Sequence, residues 1–113
     1  MKRPVSHKVV KVWHSRWDRD IDIDEQLAPL IRLLWKHGVD TCQCCHEYRP
    51  GEACIEFPGT KDVCQFLYVA QREFKVELET WDERENGQHS IVVRLLVFFP
   101  TNDIPRLVKA FKK

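Results

Sequence analysis

Residues 38–57, GVDTCQCCHEYRPGEACIEF, constrain the fold most, because they read as one β-hairpin fed by one helix. Upstream, Leu27, Leu30, Ile31 and Leu34 recur at i, i+3, i+4 and i+7, a single apolar stripe that predicts a helix over Asp24–His37. Asp24 is the expected N-cap and Glu25 suits the positive end of the helix dipole. Pro29 lacks an N–H, so the ordered helix is expected to start late or to bend there. Gly38 after Lys36 and His37 is a stop signal. Thr41–His46 and Glu52–Phe57 then form two strands, with Tyr48-Arg49-Pro50-Gly51 as the turn chemistry between them.

The remaining periodicities repeat this alternation of helix and strand. Residues 8–13, KVVKVW, place Val10 and Val12 on one side and Val9, Lys11 and Trp13 on the other, which predicts an opening strand. HSRWDRDID reads as a polar connection. Pro58-Gly59 ends the third strand, and Thr60 caps a second helix to about Arg72 with Val63, Phe66, Leu67 and Ala70 as its stripe. Phe74–Asp82 and Ser90–Phe99 alternate as strands around Asn86-Gly87, a strong hairpin signal. A last helix begins near Asp103, with Pro105 in its first turn and Ile104, Leu107, Val108 and Phe111 as its buried stripe. The order predicts an α+β fold, a single domain over 1–113: the ferredoxin-like β-α-β-β-α-β with an added C-terminal strand and helix, in a mainly antiparallel sheet of order 5-4-1-3-2.

Composition narrows the function classes. A length of 113 residues is long enough for one real core. Net charge is +1, which does not indicate a globally basic nucleic-acid binder. The charge is unevenly spread: residues 1–20 are rich in Lys and Arg, residues 73–85 in Glu and Asp. In the predicted sheet Lys11 stands among Glu56, Glu77 and Glu79, with Arg94 nearby, so strand pairing accounts for the asymmetry. No apolar run is long enough to span a membrane, and the N-terminal MKRPVSHKVV lacks the apolar core of a signal peptide. The five cysteines are odd in number and crowded, which suits no secreted disulfide framework; a reducing cytoplasm is the expected location. The same predicted helix-free face carries Val9, Trp13, Trp81, Val92, Leu96 and Phe98. These are too many large apolar groups to leave wet, and a homodimer through this face is the expected partner arrangement.

The central hairpin offers several chemistries. With residues 47–51 as loop, Cys44 faces Cys54 and Cys42 faces Glu56, so Cys42, Cys44, His46 and Cys54 share the open face while Cys45 faces the core. A zinc- or thiol-dependent protein using Cys42, Cys44, Cys54 and His46 is one alternative. CQCCH lacks the usual C-x₂-C spacing and there is no second distant pair, so small thiols filling a strand are the plainer reading and no metal or cofactor is expected. Cys45 and His46 are adjacent on a strand and point apart, so no catalytic residue is assigned. The turn is more suggestive: His46, Glu47, Tyr48 and Arg49 collect an imidazole, a carboxylate, a phenol and a guanidinium. Such a set can hold a nucleotide-like anionic ligand, with Arg49 on phosphate and Tyr48 stacking. A further alternative is nucleic-acid binding through the N-terminal segment, where Trp13 and Trp17 are interleaved with Lys8, Lys11 and Arg16.

Two resemblances rest on these residues. The run Asp24, Ala28-Pro29-Leu30, Leu33-Leu34-Trp35, Gly38-Val39-Asp40-Thr41, Cys45, Pro50-Gly51-Glu52-Ala53, Ile55, Phe57 resembles a family of short uncharacterised bacterial and phage proteins. These share a helix, then Gly-aliphatic-x-Thr-x-x-Ser-Cys, a small turn and Ala-x-Ile-x-Phe; the resemblance implies no activity. Thr41 and Cys45 also make the stretch faintly similar to the wybutosine-synthesising tRNA methyltransferase family, whose serines and Ser-Gly-Arg are replaced here by Cys44, His46 and Glu47. The expectation is therefore a small non-catalytic binding protein.

Overall fold

The computed structural model describes residues 8–15 and 17–112. Its strands are β1 (Val9–His14), β2 (Arg19–Asp24), β3 (Cys44–Arg49), β4 (Glu52–Phe57), β5 (Lys75–Glu85) and β6 (Gln88–Pro100). Its helices are α1 (Ala28–Lys36), α2 (Thr60–Ala70) and α3 (Ile104–Phe111), the last preceded by a 3₁₀ turn over Thr101–Asp103. The α+β class and the succession of helices and mainly antiparallel strands are as the sequence predicts.

The strand order is not. The main sheet has four strands in the order β3-β4-β6-β5, and β1 pairs only with β2 in a separate two-stranded sheet. The expected order 5-4-1-3-2, with the opening strand in the middle, is corrected accordingly. The physical reason lies in residues 19–24, RDIDID. They alternate Ile21 and Ile23 with aspartates, and they form a strand that pairs Lys11 with Asp22 and Val12 with Ile21. Asp18, in the left-handed region at φ 55°, makes the turn between the two. A partner a few residues away closes a far smaller loop than one across the sheet. The central place is taken by β6, whose 13 residues are long enough to pair β4 on one side and β5 on the other.

All three helices cover one face of the main sheet. Leu27, Leu30, Ile31 and Leu34 are fully buried, as the stripe predicts, in one core with Ala53, Ile55 and Phe57 of β4 and Val97 and Phe99 of β6. At the centre Phe66 lies 5.3 Å from Phe57, 5.7 Å from Phe111, 6.1 Å from Phe99 and 6.2 Å from Phe74, ring centre to ring centre. Helix α1 begins after Leu27 with Pro29 in its first turn, where a missing N–H is harmless. Asp24 therefore does not cap it. It ends β2, and its Oδ1 accepts the Gln26 N–H at 3.1 Å. Opposite charges still neutralise each other, but within each sheet: Lys11 with Asp22 at 3.1 Å, Arg94 with Glu56 at 3.3 Å.

The loop after α1 is fixed from several sides, which matters for the site it borders. Gly38 takes φ +79°, a conformation open to glycine, and turns the chain. Gln65 Nε2 donates to the His37 carbonyl at 3.0 Å, His37 Nε2 bonds the Phe111 carbonyl at 2.7 Å, and the Asp40 N–H donates to Asp62 Oδ1 at 2.9 Å. Helices α2 and α3 thus hold the C-terminal end of α1 in place.

Candidate functional site

The expected turn cluster divides. Opposite Cys54 stands Cys45, opposite Ile55 stands Cys44, and residues 46–48 bulge against Ala53 before Arg49 meets Glu52. This register differs by one residue from the predicted one, and in a strand that reverses every face. Cys45 and Cys54 share the helix-free face, while Cys44 packs against the core. The expected set of Cys42, Cys44, Cys54 and His46 on one surface is corrected by this pairing. Among the described residues no group of three or more His, Cys, Asp or Glu side chains is placed to hold a metal ion.

The bulge sends His46 away from its neighbours. Its Nδ1 bonds Asp24 Oδ2 at 2.5 Å, its N–H donates to the same oxygen at 3.2 Å, and its carbonyl accepts the Thr101 hydroxyl at 2.7 Å. Burial pushes the Asp24 carboxyl up, but hydrogen bonds from the His46 ring, the His46 N–H and the Gln26 N–H, with the His46 charge, outweigh it and leave Asp24 below its ordinary value. His46 therefore ties β3 to β2. Tyr48 and Arg49 remain together on the other face: the Arg49 guanidinium lies 5.3 Å from the Tyr48 ring centre and 5.7 Å from that of Phe98, and Lys75 Nζ lies 5.6 Å from Phe98. Glu47 is exposed. Beside them a groove of about 220 Å³ is lined by Gln43, Cys45, Tyr48, Cys54, Glu56 and Glu79 among others. Two carboxylates in this lining oppose an anion there.

Three of the five thiols are poor nucleophiles. Burial foremost, then the Asp24 charge, pushes Cys44 up to about 12; burial foremost, then Glu56, pushes Cys54 up to about 12. Burial raises Cys42 as well. All three are protonated at neutral pH, and the thiolate is the reactive form.

The face expected to dimerise is broken up. Trp13 belongs to the separate β1–β2 sheet, Phe98 is 3% exposed beneath Tyr48, Arg49 and Lys75, and Val92 and Leu96 are half-buried. The Trp81 backbone pairs with Val92, but its side chain, like Arg16, lies outside the described residues.

A larger cleft, of about 270 Å³, lies between β1 and the C-terminal half of α1. Its floor is a packed polar cluster. His14, 4% exposed, stacks on Trp17 at 4.4 Å and meets the edge of Trp35 at 4.4 Å. His14 Nδ1 accepts the Trp17 N–H at 3.1 Å, so the ring proton sits on Nε2 and points at Asp40 Oδ1, 3.2 Å away. Both nitrogens of His14 are engaged, so the ring shapes the cleft and has no lone pair to offer a substrate. Trp35 Nε1 donates to Thr41 Oγ1 at 3.1 Å. The walls carry Arg32 and Lys36, one helical turn apart on α1, and Trp13 and Ser15 from β1 and the turn after it. Neither Arg32 nor Lys36 has an acidic partner among the described residues, and Trp13 is 56% exposed. Two cations, an open indole face and a hydroxyl converge here. Sequence reasoning singled out Trp13 but not Arg32, Lys36, His14 or Asp40. The available signal was the i, i+4 spacing of Arg32 and Lys36 on the polar side of the helix stripe.

No family model matches the chain, and searches of the curated proteins and of the solved structures return no match. The cleft is therefore read on its own chemistry.

Proposed function

We propose that this chain is a small non-catalytic binding protein whose cleft between β1 and α1 holds a phosphate-bearing ligand with a planar base. The observation that carries this reading is the placing of Arg32 and Lys36, without acidic partners among the described residues, beside the exposed Trp13 at one opening. Arg32 presents a planar fork that suits phosphate oxygens, Lys36 adds a second positive charge, and Trp13 supplies a stacking surface. The Ser15 hydroxyl offers a hydrogen bond to a sugar or base edge. The chemistry is that expected of the 46–51 turn, moved to a site whose lining is basic.

A mononucleotide and one unit of a single nucleic-acid strand present the same groups. The basic, tryptophan-bearing opening segment supports the strand: Trp17 carries Arg19 at 5.6 Å over its ring, and Lys8 precedes β1. Titrations of a fluorescent mononucleotide and of a labelled single-stranded ten-mer distinguish the two. A strand spanning several phosphates binds with an affinity that falls steeply with salt, and a lone nucleotide loses much less. Arg32→Ala is expected to weaken either ligand about tenfold, the ~1.4 kcal/mol of one charge-assisted hydrogen bond. If neither ligand binds at low salt, the reading fails.

A further inference from the structure

The hairpin of β5 and β6 outruns the sheet it belongs to. Strand β4 pairs with β6 only as far as Leu95, whereas β5 accompanies β6 to the turn, where Glu85 faces Gln88. Residues 88–94 of β6 thus have β5 alone beside them, and a two-stranded ribbon is marginal without a third strand or a packed face. On the helix side of this ribbon lie Val76, Leu78, Val93 and Ile91, exposed by 40%, 65%, 46% and 68%. On the opposite side of β5 stand Glu77 and Glu79 at alternate positions and, beyond Trp81, Glu83. The strand is last in the order β3-β4-β6-β5, and no described residue pairs with its outer edge over eleven residues. Natural edges are commonly blunted by lysine or proline. The only lysine here is Lys75 at the start, already held by Glu77 at 3.0 Å.

We propose that the outer edge of β5 takes up an extended segment of a partner protein, with Lys or Arg at alternate positions on one face and aliphatic side chains on the other. Strand addition joins backbone to backbone along the edge, while alternate side chains read the two faces. The aliphatic row would extend the exposed apolar face of Val76 and Leu78, and the basic row would meet Glu77, Glu79 and Glu83 at cross-strand distance. Charge selects against a second copy of this chain. Two β5 strands pairing antiparallel with their apolar faces together place the acidic row against itself.

The test uses the full chain and three capped ten-residue peptides: alternating Lys and Val, alternating Glu and Val, and alternating Lys and Ser. Binding is read by peptide anisotropy and by backbone amide hydrogen exchange. The Lys/Val peptide is expected to bind and to slow exchange across residues 75–85, the other two to bind at least tenfold more weakly. Glu77→Lys with Glu79→Lys is expected to remove that preference, and Leu78→Lys, at an exposed position, to weaken binding with the fold intact. Equal binding of the Glu/Val peptide, protection elsewhere than β5, no binding at all, or a dimer whose β5 amides are protected without peptide overturns the proposal.

Discussion

Asp24 shows how one side chain links distant parts of the chain. It closes β2, accepts the Gln26 N–H, and receives two hydrogen bonds from His46 on β3. Because its folded value lies below the ordinary 3.8, the unfolded chain takes up its proton first as pH falls. The stability contributed by this carboxylate is therefore complete above 3.8 and is lost as the pH drops through 3.8 to the folded value. Denaturant titrations at pH 6 and at pH 3 should show wild type losing more stability on acidification than Asp24→Asn; equal losses would mean the His46 contacts do not favour the ionised form. The thiols give a second local expectation. At pH 8 an aromatic disulfide reagent should modify the exposed Cys64 fast, and Cys44 and Cys54, pushed up to about 12, at least tenfold more slowly. Rapid modification of Cys44 would contradict its placement against the core.

Helix α2 carries its packing in one residue. Phe66 touches aromatic rings from β4, β6, α3 and the segment before β5, so Phe66→Ala should cost ~3–5 kcal/mol. Tyr68, two positions on and 82% exposed, should change stability by less than about 0.5 kcal/mol when replaced by Ala. Similar thermal shifts for the two variants would mean the helix is rotated from the face described. Phe66 and the other stripe residues were legible because a 3.6-residue period is a local property of the chain. Strand β2 was not, because its alternating aspartates carry turn chemistry and hide the Ile21–Ile23 alternation. Once β2 is missed, β1 is left seeking a partner and the sheet order follows wrongly. The register of β3 was lost for a related reason: the bulge over residues 46–48 depends on Asp24 holding His46, a contact between residues 22 apart. Of the cleft, Trp13 was singled out in the sequence and its neighbours Arg32 and Lys36 were not. Arg32 and Lys36 face Trp13 only because the β1–β2 hairpin packs beside α1 rather than within the sheet.

The molecule as a whole separates its charges by place. The cleft between β1 and α1 presents two cations, without acidic partners among the described residues, around an indole, and the far edge of the sheet presents an acidic, half-apolar strand. Two distinct surfaces of opposite character result, the first the proposed ligand site and the second the proposed docking edge. The first of these is the central claim, and tryptophan fluorescence reads it directly, since Trp13 and Trp35 line the cleft and Trp17 stacks on His14 in its lining. Titrating a single-stranded ten-mer and a mononucleotide into wild type, Trp13→Ala and the Arg32→Ala/Lys36→Ala double variant should give saturable quenching in wild type. The double variant should bind at least tenfold more weakly, and Trp13→Ala should lose most of the signal along with affinity. Saturable binding that survives the double variant unchanged, or no quenching by either ligand in low salt, would contradict the account.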